Sequence, residues 1–124
     1  MRTILIIDDN QDYRLNLLEI FQIESYSTLE ARNGLIGLRM IYQHVPDIIL
    51  CDIDMPVMTG LEVLETVKAD IKLSSIPFIL NTAHSDDTTR KTAVELGVDL
   101  FLIKGIPLEQ LLNTISSFFD PSIL

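Results

Sequence analysis

Short apolar runs rich in β-branched residues recur at positions 4–7, 48–51, 77–80 and 100–103, with a weaker one at 27–31, and helix-length stretches separate them. Continuous apolar runs of this length are what strands look like when both faces of a sheet are covered. Their alternation with helix-length segments predicts βα units wound around a mainly parallel sheet. The expectation is an α/β domain of five strands and five helices.

With 124 residues, 48% of them hydrophobic, the chain has material for one packed core and no room for a second folded domain, so residues 1–124 are expected to form one unit. The formal charge of −9, without a Lys/Arg-rich run, argues against direct binding to nucleic acid. Cys51 is the sole cysteine, which excludes an internal disulfide framework and points to a reducing compartment, the cytoplasm. The apolar run after Met1-Arg2-Thr3 stops at Asp8, far short of a membrane span or signal-peptide core, so no membrane insertion is expected. Met1 favours an N-terminal or sole domain.

The first helix places Tyr13, Leu17, Ile20 and Phe21 on one stripe, and the last does the same with Leu108, Leu111, Leu112, Ile115, Phe118 and Phe119. Pro107 suits the first turn of that last helix and Pro121 its exit. The fourth helix is expected to open with Ser85 as N-cap, carry Asp86 and Asp87 in its first turn and stop at Gly97. Thr88, Thr89 and Thr92 make it a marginal helix. Gly37, in the middle of the second helix, predicts some irregularity there.

In open parallel sheets, functional groups collect at the carboxyl ends of the strands. Here the first strand ends in Asp8-Asp9, the third in Asp52, the fourth in Asn81-Thr82 and the fifth in Lys104. Converging carboxylates repel one another, and a hard cation relieves the conflict. Mg²⁺, or a similar cation such as Mn²⁺, takes carboxylate oxygens, keeps waters and leaves positions for phosphate oxygens. Phosphoryl transfer needs an oxygen nucleophile, neutralisation of the phosphoryl oxygens and hydrogen-bond donors. Asp52, a divalent cation, Lys104 and Thr82 would provide them.

The order of these residues resembles the receiver domains of two-component response regulators, including the chemotaxis-type single-domain receivers, over essentially the whole chain. The resemblance rests on Ile6-Ile7-Asp8-Asp9-Asn10, on the run 47–60 around Asp52 with Asp54, Met55, Pro56, Thr59 and Gly60, on Asn81-Thr82-Ala83, and on Phe101-Leu102-Ile103-Lys104. It implies a flavodoxin-like fold with strand order 2-1-3-4-5. It makes Asp52 the phosphoacceptor and Asp8 and Asp9 the metal pair, with Asp9 the preferred direct ligand and the backbone carbonyl of Asp54 completing the set. Thr82 takes the part of the switch hydroxyl, Phe101 that of the aromatic whose rotamer follows it, and Lys104 that of the lysine pairing with phosphoryl oxygens. The implied donor is a histidine kinase or histidine phosphotransfer domain, docking transiently on Asn10, Gln11, Arg14, Gly105, Ile106 and Pro107. The implied protein is a signalling module rather than an enzyme, with self-catalysed gain and loss of the phosphoryl group. Its output partner is left open.

Two departures from the family pattern stand out. Gly105 follows Lys104 where members usually carry a proline after a cis bond; a cis bond without proline costs roughly 2.5–4 kcal/mol, so a trans bond is expected. Nothing after Lys104 is basic, which argues against a dimer formed through the fourth helix, fifth strand and fifth helix. Asp54 and His84 border the path of an attacking water, where they would tune the lifetime of the phosphorylated form. Other readings stay open at this point. Asp8 and Asp9 are also ordinary helix caps. Asp52-Ile53-Asp54 also resembles the aspartate pair of haloacid-dehalogenase-type phosphatases, although Pro56 replaces the residue that class uses. A flavin module would need a phosphate loop where Asp8 and Asp9 stand, and a degenerate scaffold is hinted at only by the loop after Lys104.

Overall fold

The computed structural model describes residues 1–84 and 86–120. Its elements are β1 (Thr3–Ile7), α1 (Gln11–Ile23), β2 (Ser27–Ala31), α2 (Gly34–His44), β3 (Ile48–Cys51), α3 (Gly60–Ala69), β4 (Phe78–Thr82), α4 (Asp87–Glu95), β5 (Leu100–Ile103) and α5 (Leu108–Ser117). The five strands pair in parallel in the order β2-β1-β3-β4-β5, as the resemblance implied.

Because successive strand residues point to opposite faces, each apolar run feeds two cores. Ile4 and Ile6 of β1, Ile48 and Leu50 of β3, and Ile79 of β4 pack with Leu17, Leu18 and Phe21 of α1 and Leu111 and Ile115 of α5. Leu5, Ile7, Ile49, Cys51, Phe78 and Leu80 pack on the other face with Ile41 of α2, Val63, Leu64 and Val67 of α3, and Ala93 of α4. Both faces of the central strands are dry. That is why β1, β3 and β4 read as unbroken apolar runs rather than as alternating ones.

Several boundaries differ from the sequence reading. The cap of α4 is Asp86, whose side chain accepts from the backbone N–H of Thr89, and not Ser85, which lies outside the described residues. Pro107 sits at the N-cap of α5 rather than in its first turn, and Pro121 lies outside the described residues. Helix α2 runs unbroken through Gly37. A methyl group there would collide with the side chain of Ile7, so the glycine lets α2 lie close on β1. Gly97 follows α4 with φ +91°, as its stop position predicts. None of the peptide bonds among the described residues is cis, so the Lys104–Gly105 bond is trans, and Gly105 adopts φ +101°, a conformation open to glycine.

Candidate functional site

Each strand places its next polar residue just beyond its apolar run, and these residues gather at the carboxyl edge of the sheet. Asp52 is fixed by its backbone N–H, which donates to the Ile7 carbonyl at 2.8 Å, so β1 holds the end of β3. The side chain of Asp52 is turned inward and accepts from the backbone N–H of Ile53 at 2.8 Å. At Gly60, the start of α3, any Cβ would overlap the carbonyl oxygen of Asp52; glycine lets the helix begin against the acid's own backbone. A capping box between Thr59 and Glu62 sets that helix start.

Carboxylate oxygens of Asp8, Asp9 and Asp52 all lie within 4.8 Å of one another. Asp8 and Asp52 are buried, at 2% and 7% exposure, whereas Asp9 is exposed. Both oxygens of Asp8 are already engaged: Oδ1 accepts from the Asn10 backbone at 2.9 Å and Oδ2 pairs with Lys104 Nζ at 2.7 Å. The same ammonium reaches Asp52 Oδ2 at 3.4 Å. Lys104 is therefore the counter-charge of the buried pair, and it arrives because its own backbone N–H is bonded to the Thr82 carbonyl at 2.7 Å.

The electrostatics follow from this packing. Burial pushes the Asp52 carboxyl above its ordinary value and the Asp8 charge adds to this, while Lys104 and the Ile53 N–H pull the other way. Burial pulls Lys104 down, but its bonds to Asp8 and the charge of Asp52 outweigh that and hold the ammonium above its usual range. Burial pushes the Cys51 thiol well above its ordinary value. This fits a small buried side chain, whose thiol donates to the Asp52 carbonyl at 3.1 Å, rather than a reactive thiolate.

The donor set at this edge is all oxygen: three carboxylates close together, one of them exposed, with no cysteine or histidine among them. That is the chemistry of a hard divalent cation such as Mg²⁺ or Mn²⁺. Asp8 and Asp9 are not the cap of α1. That part falls to Asn10, whose side chain accepts from the Tyr13 backbone at 3.0 Å.

The other expected residues distribute as follows. Thr82 is buried at the end of β4, beside the acidic edge. Phe101 is half-buried on β5, with the Arg90 guanidinium of α4 lying 4.6 Å over its ring. His84 Nε2 stands 3.3 Å from Asp54 Oδ2, and both side chains are exposed. Of the residues assigned to the docking surface, Asn10, Gln11, Gly105 and Pro107 are exposed and Ile106 is half-buried. Arg14 does not belong there. It is 8% exposed, donating from one Nη to the Asp8 carbonyl at 2.8 Å and from Nε to Glu30 Oε1 at 2.9 Å. It braces the loop that carries the acids from beneath.

Two further polar side chains join the site: Asn81, which the sequence placed at the end of the fourth strand without a role, and Tyr13, which it read only as part of the apolar stripe of the first helix. Asn81, 3% exposed on β4, donates from Nδ2 to the Tyr13 hydroxyl at 2.8 Å. Lys104 Nζ lies 4.4 Å from the centre of the Tyr13 ring. Burial pushes the Tyr13 hydroxyl above its ordinary value, against the pull of Asn81 and Lys104, and keeps the ring neutral. The available signal was the amide itself: an Asn ending the run Phe78-Ile79-Leu80 needs a buried partner.

Comparison with known proteins agrees with the geometry. The model of the response regulator receiver domain matches residues 4–116. The chain is 31% identical over 117 residues to the polar-differentiation response regulator DivK of Brucella anthropi, spanning 94% of this chain and 95% of that protein. It is 36% identical over 102 residues to histidine kinase P4 of Formosa agariphila, where the match spans 82% of this chain but only 7% of the much longer relative. The crystal structure of a CheY-like response regulator receiver domain protein from Methanospirillum hungatei superposes with a TM-score of 0.92 at 25% identity, covering 98% of this chain and 95% of that one. Strand order, acidic edge, lysine and sequence match converge, and the chain belongs to the response regulator receiver domains.

Proposed function

We propose that residues 1–124 act as one receiver unit in which Asp52 is the residue that takes the phosphoryl group. The observation that carries this reading is the Lys104 ammonium bridging two buried carboxylates, Asp8 at 2.7 Å and Asp52 at 3.4 Å, beside the exposed Asp9. A carboxylate oxygen of Asp52 attacks the phosphorus of a phosphohistidine; the new P–O bond forms as the P–N bond breaks, and the imidazole leaves with the electron pair and is protonated. Asp9, Asp52 and the Asp54 backbone carbonyl, with Asp8 behind them, would hold Mg²⁺ or Mn²⁺. When bound, that cation supplies charge neutralisation for the phosphoryl oxygens.

Lys104 then exchanges part of its pairing with the carboxylates for a phosphoryl oxygen. Thr82 turns its hydroxyl toward the same group, and the half-buried Phe101 follows, changing the surface made by α4 and β5. Hydrolysis returns the carboxylate, with Asp54 and His84 at the mouth setting access for water. The unit works as a signalling module that turns over its own phosphoryl group and no external substrate.

The donor is a histidine kinase or a histidine phosphotransfer domain. It docks on Asn10, Gln11, Gly105, Ile106 and Pro107, next to the groove lined by Tyr13, Asn16, Ile106 and Leu108. The charge of −9 disfavours direct contact with nucleic acid. Among the described residues, no helix is long and apolar enough to cross a membrane. The lone cysteine, Cys51, supports the cytoplasm as the working compartment.

The test is intact-protein mass spectrometry after incubation with acetyl phosphate and Mg²⁺. The native chain should gain one phosphate, the gain should need the cation, and Asp52→Ala should abolish it. Equal phosphate uptake by the native chain and the variant would refute the assignment.

A further inference from the structure

The Lys104 side chain is 16% exposed, and three groups meet its ammonium: Asp8 at 2.7 Å, Asp52 at 3.4 Å and the face of Tyr13, whose ring centre lies 4.4 Å away.

The two carboxylates are also the groups on which a cation and a phosphoryl group make their demands. The ring is neutral and competes for neither. Its own position is doubly fixed, by the Asn10 cap on the Tyr13 backbone at 3.0 Å and by the buried Asn81 amide on its hydroxyl at 2.8 Å. A buried amide without a partner is costly, so Asn81 holds the ring firmly. The link runs from Asn81 on β4 through Tyr13 on α1 to Lys104, the residue that follows β5.

We propose that Tyr13 is a positioning residue for phosphoryl transfer: held by Asn81, its ring face keeps the Lys104 ammonium aimed at the Asp8–Asp52 edge when the carboxylates are engaged elsewhere. The inference rests on the role given above to Lys104. A cation over an aromatic face is favourable, more so where water is partly excluded. Removing the face leaves the ammonium able to reach the site but not to stay aimed at it.

The experiment combines side-chain NMR of Lys104 with the rate of phosphorylation by acetyl phosphate at saturating Mg²⁺, on the full chain. In the native protein the Lys104 Hε resonances should lie upfield, under the ring current of Tyr13. Tyr13→Leu should lose that shift and slow phosphorylation about 3- to 10-fold, with the Mg²⁺ dependence of the melting temperature unchanged. Tyr13→Phe keeps the ring but loses the Asn81 hydrogen bond, so it should retain an upfield shift and fall between the native protein and Tyr13→Leu in rate. Tyr13→Met, a flexible filler of similar length, replaces Tyr13→Leu if the latter does not fold, and the same readouts decide.

A native rate in folded Tyr13→Leu or Tyr13→Met, alongside a slowed Lys104→Ala, would overturn the inference alone. A native rate in Lys104→Ala would overturn the role of Lys104 as well. Absence of the upfield shift in the native protein would remove the contact on which the inference stands.

Discussion

Asp52 is buried beside another buried acid, and its counter-charge is a single lysine. Its carboxyl is raised above the ordinary Asp value, so between the unfolded and folded values the native state binds the proton more readily. Stability from this group therefore falls as pH rises through that window. Lys104 is raised too, and its contribution is lost only as pH climbs through its folded value above the ordinary lysine range. Two outcomes follow in metal-free buffer at neutral pH. Asp52→Asn relieves the repulsion with Asp8 and should raise the melting temperature, by about 3–6 °C if the relief is on the order of 1 kcal/mol. Lys104→Met strands the two acids and should cost about 3 kcal/mol, with saturating Mg²⁺ restoring part of it; thermal denaturation with and without the cation measures both. Asp8, Asp9, Asp52 and Lys104 were legible in the sequence because a charge directly after a β-branched apolar run has few places to go but the strand's end. The Tyr13–Asn81 link was not, since it joins residues 68 positions apart through a register that only the folded sheet defines. Nor was the burial of Arg14, because an arginine in the first turns of a helix reads as solvent-facing until Glu30 and the Asp8 carbonyl are placed around it.

Helix α4 is short and rich in threonine, and its start leans on one cap. The Asp86 carboxyl is held below its ordinary value, first by the Thr89 backbone N–H. Its contribution is thus full above the unfolded Asp value and lost as pH falls through the lower folded value. In Asp86→Ala, α4 should lose NMR helical character at neutral pH, whereas Asp86→Asn should keep the cap and lose its pH dependence. The loop between β3 and α3 carries a different cost. Val57 sits exposed at φ +73°, a region that a β-branched residue enters only under strain. Val57→Gly should gain about 1 kcal/mol in denaturant unfolding, and no gain would mean that the loop relaxes without it. The stop of α4 at Gly97 could be read, whereas its N-cap could not: Ser85 and Asp86 are adjacent residues of the same chemical preference, and only the backbone chooses between them. Gly37 misled for a similar reason, since its cost in an isolated helix is visible in sequence and its close approach to Ile7 is not.

At the scale of the molecule, the two-faced core explains why the fold was readable from short apolar runs. Ile4 and Ile6 serve one layer of helices while Leu5 and Ile7 serve the other, so no strand in the middle of the sheet has a polar face to disguise it. The same architecture gathers charge at the carboxyl edge, where Asp8 and Asp52 are buried and Asp9 is exposed. A cation that binds only the folded chain should therefore stabilise the whole molecule by linkage, by about 2.7 kcal/mol at a hundred times its dissociation constant. Calorimetry across a Mg²⁺ titration should show the melting temperature rising with the logarithm of concentration, and a flat titration would count against the site. The central claim, that Asp52 is where the phosphoryl group lands, is tested most directly by reductive trapping: borohydride treatment of the phosphorylated protein, followed by peptide mass mapping. The account predicts reduction of the side chain at position 52 and nowhere else; trapping at Asp8, Asp9 or Asp54 with position 52 unchanged would contradict it.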